Sequence, residues 1–206
     1  MKFHTEGMPF IAGSAIFAVL AYIIAPAFGL LVSGFALFVA YFFRDPERIL
    51  PDSVNLEDAV ISPSDGIVIG VSEDTKDDEK FTRISIFLNV FDVHVTRIPY
   101  SGKVTKRSYQ KGSFAHAETD KAFHRNENLA LTIEGKEKVI VRQVAGLIAR
   151  RIVCYAENGD QVKVGDRYGI IKFGSRMDLF LPLKSQVLVK KGQTMIGGET
   201  VLAIIK

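Results

Sequence analysis

Three residues of this chain combine a reactive side chain with an informative neighbourhood, and they are Asp65, His94 and Ser175. Asp65 lies in the run Ser-Pro-Ser-Asp-Gly, His94 lies in Phe-Asp-Val-His-Val-Thr-Arg-Ile-Pro, and Ser175 follows Gly174. A carboxylate or an imidazole can move protons, and a serine hydroxyl can act as a nucleophile beside such a base. Each residue also has an ordinary structural role open to it, because Asp-Gly and Gly-Ser pairs are frequent in turns.

The segment around His94 has the composition of a strand, which we predict at 93–98. Because side chains alternate along a strand, Asp92, His94 and Thr96 should share one face. A histidine among valines needs a hydrogen-bond partner. His94 is therefore either a core residue with a satisfied ring or a group that transfers protons.

Other candidate bases and metal ligands are few. His116 and His124 lie eight residues apart on either side of Asp-Lys-Ala at 120–122, and His4 precedes the apolar N-terminal segment. No histidine pair has the spacing of a structural zinc site. The single cysteine, Cys154, excludes an internal disulfide and a cysteine-based metal site, so no metal is expected.

Composition limits the class of protein. The chain has 206 residues, of which 48% are apolar and 24% are charged, and its formal net charge is +3. Disorder is excluded because it requires low hydrophobicity together with high net charge. The excess of basic residues is too small for a nucleic-acid-binding face, so no nucleic-acid partner is expected. The length suits one domain, or one domain with a membrane segment.

A charge-free apolar segment occupies the N-terminal part. No Asp, Glu, Lys or Arg occurs at 8–43, roughly 36 residues, where about 20 suffice to cross hydrocarbon once. Pro26 divides this segment and predicts two short helices in a membrane-anchoring hairpin. Positive charges at Lys2 and Arg44 flank it, which favours both ends on the cytoplasmic face of the cell membrane. A single kinked span, a re-entrant anchor and a buried core hairpin are the alternatives.

From residue 44 onward the chain consists of short runs rich in Val and Ile, which is typical of strands. We therefore divide it into a hydrophobic helical hairpin at 1–43 and a mainly β domain, a barrel or half-barrel, at 44–206. The polar run 72–80 is predicted as a solvated loop, and 114–123 as a short helix or a long loop. The predicted strands are 59–61, 66–71, 84–90, 93–98, 129–133, 139–144 and 147–155.

A short repeat agrees with a half-barrel. The pattern of glycine, an apolar residue, glycine and two further apolar residues begins at Gly159 and again at Gly192. Such turns join the short strands of biotinyl and lipoyl carrier hairpins, which these stretches and the run 62–68 resemble. A carrier needs a modified lysine on a hairpin tip between the two copies, and this chain has no Met-Lys-Met or Asp-Lys-Ala tip there.

Several motifs in a fixed order carry a more specific resemblance. Together with the apolar N-terminus, they resemble the phosphatidylserine decarboxylases of the short, membrane-associated, pyruvoyl-dependent type, over nearly the whole chain. The motifs are Phe-Phe-Arg-Asp-Pro-Glu-Arg at 42–48, Ser-Pro-Ser-Asp-Gly at 62–66, the run 91–99 around His94, Asp-Lys-Ala at 120–122 with Asn-Glu-Asn at 126–128, and 169–182 around Gly174-Ser175.

The resemblance implies self-cleavage between Gly174 and Ser175. The proenzyme would become a β chain, 1–174, and an α chain, 175–206, which stay associated. Attack of the Ser175 hydroxyl on the preceding carbonyl, followed by elimination and hydrolysis, would leave a covalent pyruvoyl cofactor at position 175. Gly174 lacks a Cβ and so accepts the strained backbone that this attack needs. The enzyme would convert phosphatidylserine into phosphatidylethanolamine and CO₂, a step of phospholipid biosynthesis.

The resemblance also implies roles for neighbouring residues. His94 would transfer protons, and Asp65 would belong to a relay with a histidine and the serine. Longer relatives have a second histidine where this chain has Arg97, which cannot act as a base near neutral pH. We therefore expect His94 to act as the base, oriented by Asp65 or Asp92.

The implied substrate is an amino lipid with a carboxylate on the amine-bearing carbon, and the lipid bilayer is the second partner. Candidates for contact with the headgroup are Asp92, Arg97, His116 and His124. Association into a homo-oligomer stays open. Further arginines that could bind phosphate or carboxylate are Arg44, Arg48, Arg150, Arg151 and Arg176.

Three other functions are weighed against this one. A soluble pyruvoyl-dependent amino-acid decarboxylase leaves the apolar segment unexplained. An archaeal decarboxylase of serine ether lipids differs only in the lipid tails. A membrane-tethered biotinyl-type domain without activity would keep an intact, unmodified chain.

Overall fold

A pair of apolar helices precedes a mainly β unit, which confirms the predicted fold class. The computed structural model describes residues 2–76, 79–112, 126–146, 152–172 and 175–206. The chain divides into two units, Met1–Glu47 and Arg48–Lys206. The first unit contains both helices, and the second contains the strands.

The two helices form a hairpin in the first unit. Only Ala25, in an extended conformation, separates them, and Pro26 is the first residue of the second helix. Proline is tolerated there because its missing N–H costs no helical hydrogen bond. The elements are a 3₁₀ turn at Thr5–Gly7, α1 at Met8–Ile24 and α2 at Pro26–Phe42.

Small residues let the two helices approach each other closely. Gly29 of α2 lies against α1, and a Cβ added to it would overlap the backbone of Tyr22. Ala18, Ala21 and Val32 form a buried cluster, whereas many of the larger apolar side chains of both helices are exposed. A continuous apolar surface of this kind suits hydrocarbon better than water.

Both ends of the hairpin lie side by side. The N–H of His4 donates to the carbonyl of Phe43 at 2.9 Å, and the N–H of Asp45 donates to the carbonyl of Lys2 at 2.8 Å. The two ends therefore leave the hairpin next to each other. The stretch Thr5–Ile24 is long and apolar enough to cross a membrane, whereas α2 is shorter, so the segment suggests membrane association.

Short antiparallel strands make up the second unit. Their buried apolar side chains form one main core, which includes Val68, Ile86, Val141 and Leu179. In the described residues the strands are β1 Ala59–Ile61, β2 Gly66–Lys76, β3 Glu79–Leu88, β4 Val95–Arg97, β5 Gly102–Gln110, β6 Asn128–Glu134, β7 Lys138–Ala145, β8 Ile152–Cys154, β9 Gln161–Val162, β10 Arg167–Ile171, β11 Ser175–Pro182, β12 Gln186–Val187, β13 Thr194–Met195 and β14 Val201–Ile204.

The largest sheet curls into a half-barrel and places β11 in its interior. Its strand order is β13-β2-β3-β11-β7-β6-β5-β9, and two smaller sheets have the orders β1-β14-β12 and β4-β10-β8. β11 pairs with β3 on one side and with β7 on the other. Every residue of β11 is buried except its last, Pro182. The first residue of this strand, Ser175, is therefore fixed from both sides.

The sequence repeat corresponds to a structural repeat. The four glycines that bound its two copies have φ between 82° and 97°, which residues with a Cβ rarely adopt. In each copy the two glycine N–H groups donate to carbonyls six residues apart, on the segment 98–104 for the first copy and 62–68 for the second. The glycines are Gly159, Gly165, Gly192 and Gly198.

Three predictions about strands need correction. The polar run 72–80 is not simply a loop, because β2 continues to Lys76 and finds a pairing partner in β3 along this length. The strand predicted at 93–98 begins only at Val95, after a turn. The strand Gly102–Gln110 was not predicted, because its mostly polar, largely exposed sequence lacks a run of apolar residues.

Gly29→Ala should destabilise the hairpin, because the added methyl group has no space against α1. We expect a loss of about 1–3 kcal/mol, the usual cost of overpacking. Gly34→Ala is the matched control, since nothing lies within 4 Å of a Cβ at Gly34. It should be neutral or stabilising by up to about 1 kcal/mol. The measurement is thermal unfolding of the full chain in detergent micelles, followed by helical circular dichroism. Equal effects of the two substitutions would show that the helices do not pack at Gly29.

Candidate active site

Ser175 begins β11, and its surroundings are unusual for a serine. Its ladder partners are Leu88 on β3 and Ala145 on β7. The residue is fully buried, and its Oγ makes no hydrogen bond with the described residues. Leaving a buried hydroxyl without a partner costs about 1–3 kcal/mol, so such a group calls for an explanation, such as a catalytic role. Gly174 lies outside the described residues.

The Asn-Glu-Asn motif supports the backbone that pairs with Ser175. Asn126 is buried, and its Nδ2 donates to the carbonyl of Ala145 at 2.7 Å. The N–H of Ala145 donates to the carbonyl of Glu127 at 2.9 Å. Asn128 in turn donates from Nδ2 to the carbonyl of Asn126 at 2.9 Å. The motif therefore fixes the end of β7 at the position opposite Ser175.

His94 is fully buried, and the contact of one ring nitrogen defines its tautomer. Nδ1 lies 2.9 Å from the backbone carbonyl oxygen of Asp92. A carbonyl only accepts hydrogen bonds, so Nδ1 must carry the proton in this contact. In the neutral ring the lone pair then resides on Nε2, which is the form that a general base requires.

Two contacts bring the segment around His94 to the end of the sheet where Ser175 lies. The N–H of Ile171, four residues before Ser175, donates to the carbonyl of His94 at 3.3 Å. Nε2 of Gln143 donates to Oγ1 of Thr96 at 3.1 Å, and Gln143 lies two residues from the partner of Ser175 on β7. These contacts join the backbone of His94 and the side chain of Thr96 to residues that lie within four positions of Ser175 or of its partner on β7.

Asp92 does not share a strand face with His94, contrary to the prediction. Its Oδ2 accepts hydrogen bonds from the backbone N–H and from Nδ2 of Asn89, at 2.8 and 2.6 Å, and this closes a turn. Side chains do not alternate here as in a strand, because the turn keeps the chain out of the sheet until Val95. Asp92 contributes its backbone carbonyl to the described contact with His94.

Asp65 is held by an arginine of the N-terminal motif. Nη2 of Arg48 lies 2.9 and 2.8 Å from the two carboxylate oxygens of Asp65, and the N–H of Gly197 donates to Oδ1 at 2.8 Å. The two charged side chains are only 15% and 18% exposed. Among the described residues, the carboxylate therefore bonds to Arg48 and Gly197 and makes no hydrogen bond with His94.

Arg97 is buried and lies against glycines of both copies of the repeat, Gly165 and Gly198. Its Nη1 donates to the carbonyl of Gly165 at 3.0 Å. A Cβ built on Gly198 would lie 2.9 Å from Cδ of Arg97 and 3.2 Å from Cβ of Arg48. The second glycine repeat thus packs against two arginines that precede Ser175 in the chain.

A buried ionic cluster follows Ser175 on the opposite face of β11. Oδ1 of Asp178 accepts hydrogen bonds from Nε of Arg176 at 2.6 Å and from Oγ of Ser85 at 2.7 Å. Oδ2 accepts one from Nη2 of Arg142 at 2.7 Å. Burial raises the pKa of Asp178, but the two guanidinium groups outweigh that effect and hold its pKa below the usual value. The carboxylate is therefore charged at neutral pH.

Sequence reasoning missed this cluster. It treated Arg176 as a candidate for binding phosphate or carboxylate of a ligand, whereas the structure pairs it with Asp178. The sequence contains a signal for it, because Arg176 and Asp178 are separated by one residue in an otherwise apolar stretch. In a strand two such side chains lie on one face, and if they are buried they need charged or hydrogen-bonding partners.

Comparison with known proteins identifies the family. The family model for phosphatidylserine decarboxylase matches residues 35–203. The chain belongs to the phosphatidylserine decarboxylase family. Two curated relatives are both named phosphatidylserine decarboxylase proenzyme. The one from Geobacter metallireducens is 48% identical over 97% of this chain and 95% of its own length. The one from Rickettsia akari is 46% identical over 97% of this chain and 89% of its own length.

Membership of the decarboxylase family confirms the resemblance that the ordered motifs carry. It leaves the non-enzymatic biotinyl-type domain without support, although the half-barrel and its glycine turns are present. Several predicted site residues, and the stretches 114–123 and 147–151, lie outside the described residues. The site residues concerned are Gly174, His116, His124, Arg150 and Arg151.

The Arg48–Asp65 ion pair should be strongly coupled, because both side chains are mostly buried and Asp65 also binds Gly197. A double-mutant cycle with Arg48→Met and Asp65→Asn should give a coupling free energy of about 1–3 kcal/mol in urea unfolding. The exposed Lys138–Glu79 pair is the matched control and should give about 0.2–1 kcal/mol. Coupling no larger than that of the control would show that Arg48 does not hold Asp65 in solution.

Proposed function

We propose that this chain is a proenzyme that cleaves itself between Gly174 and Ser175 and then converts phosphatidylserine into phosphatidylethanolamine and CO₂. Relatives of similar length are named phosphatidylserine decarboxylase proenzyme, and that name implies processing of a precursor. The observation that carries the proposal is the buried Oγ of Ser175, without a described partner, at the start of a strand that is paired on both sides.

Self-cleavage needs only atoms of the chain and one water molecule. Oγ of Ser175 attacks the carbonyl carbon of Gly174, the C–N bond breaks and the nitrogen takes up a proton, which leaves an ester and a free amine. Removal of the α-proton of residue 175 then expels the Gly174 carboxylate and leaves dehydroalanine. The imine tautomer of this residue reacts with water and releases ammonia, so a ketone remains at the new N-terminus.

We assign the proton transfers to His94. Because Nδ1 donates to the carbonyl of Asp92, the lone pair of the neutral ring lies on Nε2, the nitrogen that can accept the Ser175 proton. The same nitrogen, once protonated, can return a proton to the substrate carbon after CO₂ has left. Arg97 cannot take this role, because a guanidinium does not release its proton near neutral pH.

We propose that Asp65 acts by positioning other groups. Its carboxylate connects Arg48 to the backbone of Gly197, and Gly197 belongs to the proposed α chain. Membership in a relay would need a hydrogen bond between the carboxylate and His94, and among the described residues Asp65 makes its bonds to Arg48 and Gly197 instead. The backbone carbonyl of Asp92 is therefore the better candidate for orienting the imidazole.

The surroundings of Ser175 fit a pyruvoyl group formed from that residue. No described hydrogen bond has to break when the hydroxyl is lost, and the position is closed to bulk water. Leu88 and Ala145 hold the backbone on both sides. When formed, the group supplies a carbonyl that condenses with the substrate amine and accepts the electrons that CO₂ leaves behind.

The apolar hairpin suits a lipid substrate. We propose that it anchors the chain at the cytoplasmic face of the cell membrane, so that enzyme and phosphatidylserine share one surface. The fragments 1–174 and 175–206 should stay together, because β11 is paired with β3 and with β7. Candidates for contact with the serine headgroup remain Asp92, Arg97, His116 and His124.

Ser175→Ala should give a folded, uncleaved and inactive chain, because it lacks the nucleophile. The assay follows fragment formation and the release of phosphatidylethanolamine from phosphatidylserine in mixed micelles. Ser185→Ala is the matched control, since its Oγ is also enclosed without a described partner and lies in the same proposed fragment. It should cleave and turn over like the parent. Decarboxylation by Ser175→Ala at the parental rate would refute the proposal.

His94→Gln should fold but lose rate in self-cleavage, in decarboxylation or in both. General acid–base help is typically worth ~10²–10⁴-fold, so we expect a loss of about a hundredfold or more. Thermal melting must accompany the kinetics, since removing a buried polar partner costs about 1–3 kcal/mol by itself. A well-folded variant with rates within a few-fold of the parent would make His94 a structural residue.

A further inference from the structure

We propose that four buried residues, Ser85, Arg142, Arg176 and Asp178, keep the new N-terminus in register after self-cleavage. We name this set the β11 clamp. The inference rests on the proposed function, because only cleavage before residue 175 turns the start of β11 into a chain end. The clamp side chains lie on the face of the sheet opposite the Ser175 side chain, so they position the reacting group without touching it.

The clamp joins β11 to both of its neighbours. Asp178 lies directly opposite Ser85 on β3 and Arg142 on β7, and a hydrogen bond of 2.7 Å connects it to each. Arg176 adds one bond to Asp178 at 2.6 Å and one to Ser85 at 2.9 Å. A row of charge-assisted hydrogen bonds thus crosses three strands within three residues of position 175.

Cleavage creates the need for such a row. In the precursor, residue 174 tethers the start of β11, whereas in the mature enzyme that tether is lost. Free chain ends fray unless they are tied down. A reactive group on a frayed end would leave its working position, and such groups must be held within about 0.5 Å. Arg176 is the first residue after the reactive position and is almost fully buried, so its bonds oppose fraying where fraying begins.

Stability alone does not account for the clamp. Two arginines and one aspartate are buried, and the removal of three charged groups from water demands costly desolvation. Apolar residues of similar size often give equal or greater stability at such sites. Hydrogen bonds of fixed geometry, in contrast, form in only one pairing of the strands. The clamp therefore specifies the register of β11, and register is what a newly cut strand has to retain.

Hydrogen exchange of the cleaved enzyme, measured by mass spectrometry, tests the clamp. In Arg176→Met the amides of residues 176–179 should exchange about tenfold faster or more than in the parent. For the same variant, kcat should fall about tenfold or more with KM within about threefold, since the reactive group is mispositioned for part of the time. In an uncleavable Ser175→Ala background, Arg176→Met should change exchange by less than about threefold, because the tether persists.

Arg83→Met is the matched control. It removes a partly buried ion pair with Asp74 in the same sheet, with an N–O distance of 2.7 Å and no member on β11. Exchange at 176–179 and kcat should both stay at the parental level. If Arg83→Met and Arg176→Met behave alike, the effect belongs to the sheet in general and the clamp is refuted.

A second variant separates positioning from stability. Ser85→Ala, Arg142→Met, Arg176→Met and Asp178→Leu together remove every polar clamp group, so no charged clamp residue stays behind without its clamp partner. This variant should melt near the parental temperature but show fast exchange at 176–179 and a low kcat.

Two results would overturn the inference. One is exchange and turnover of the fourfold variant at the parental level. The other is that neither the fourfold variant nor Arg176→Met folds, because the cluster would then be needed for folding itself. If the parent protein is not cleaved, both the proposed function and the clamp are overturned. If the parent is cleaved and active but the clamp variants match it in exchange and kcat, the clamp alone is overturned.

Discussion

The pairing of β11 on both sides is the constraint on which the rest of the structure depends. A nucleophile that attacks its own backbone needs a fixed strand on one side of the reacting bond. Ser175 has such a strand, because Leu88 and Ala145 pair with it and the residues that follow are buried on both faces. An edge strand would lose one of these partners, and its end would fray more readily. The half-barrel provides an interior place for this one strand.

The part of the chain after Ser175 is distributed over the whole β unit. β11 lies in the large sheet, β13 pairs with β2 at the edge of that sheet, and β14 pairs with β1 in a smaller one. The second copy of the glycine repeat and the contact of Asp65 with Gly197 add polar links between the two sides of the proposed cleavage point. Breaking one backbone bond would therefore leave most of the fold in place.

Much of the fold follows from local sequence, because local rules govern it. The apolar run with Pro26 in its middle predicts a hairpin of two helices, and the repeated glycines predict turns, where the structure has glycines with positive φ. Strand alternation did not hold at Asp92, because hydrogen bonds from Asn89 to its side chain form a turn in a segment whose composition suggests a strand. The mostly polar strand β5 escaped prediction because its pairing with β6, not its composition, keeps it in the sheet.

The candidate site was predictable only in part. Ordered motifs selected Ser175, His94 and Asp65 as candidates, but the partners of these residues depend on long-range packing. Asp65 meets Gly197 across 132 residues, and Asp178 meets Ser85 across 93. No rule based on spacing reveals such pairs, because the order of strands in the sheet decides them. The partner of Asp65 matters most, since the described carboxylate contacts are with Arg48 and Gly197, whereas a relay would use a contact with a histidine.

The intact mass of the purified, active protein tests the central claim most directly. The account predicts two polypeptides that correspond to residues 1–174 and 175–206. The smaller one should have a blocked N-terminus and a mass that fits a pyruvoyl group in place of serine. A single unmodified chain of 206 residues, in a preparation that decarboxylates phosphatidylserine, would contradict it.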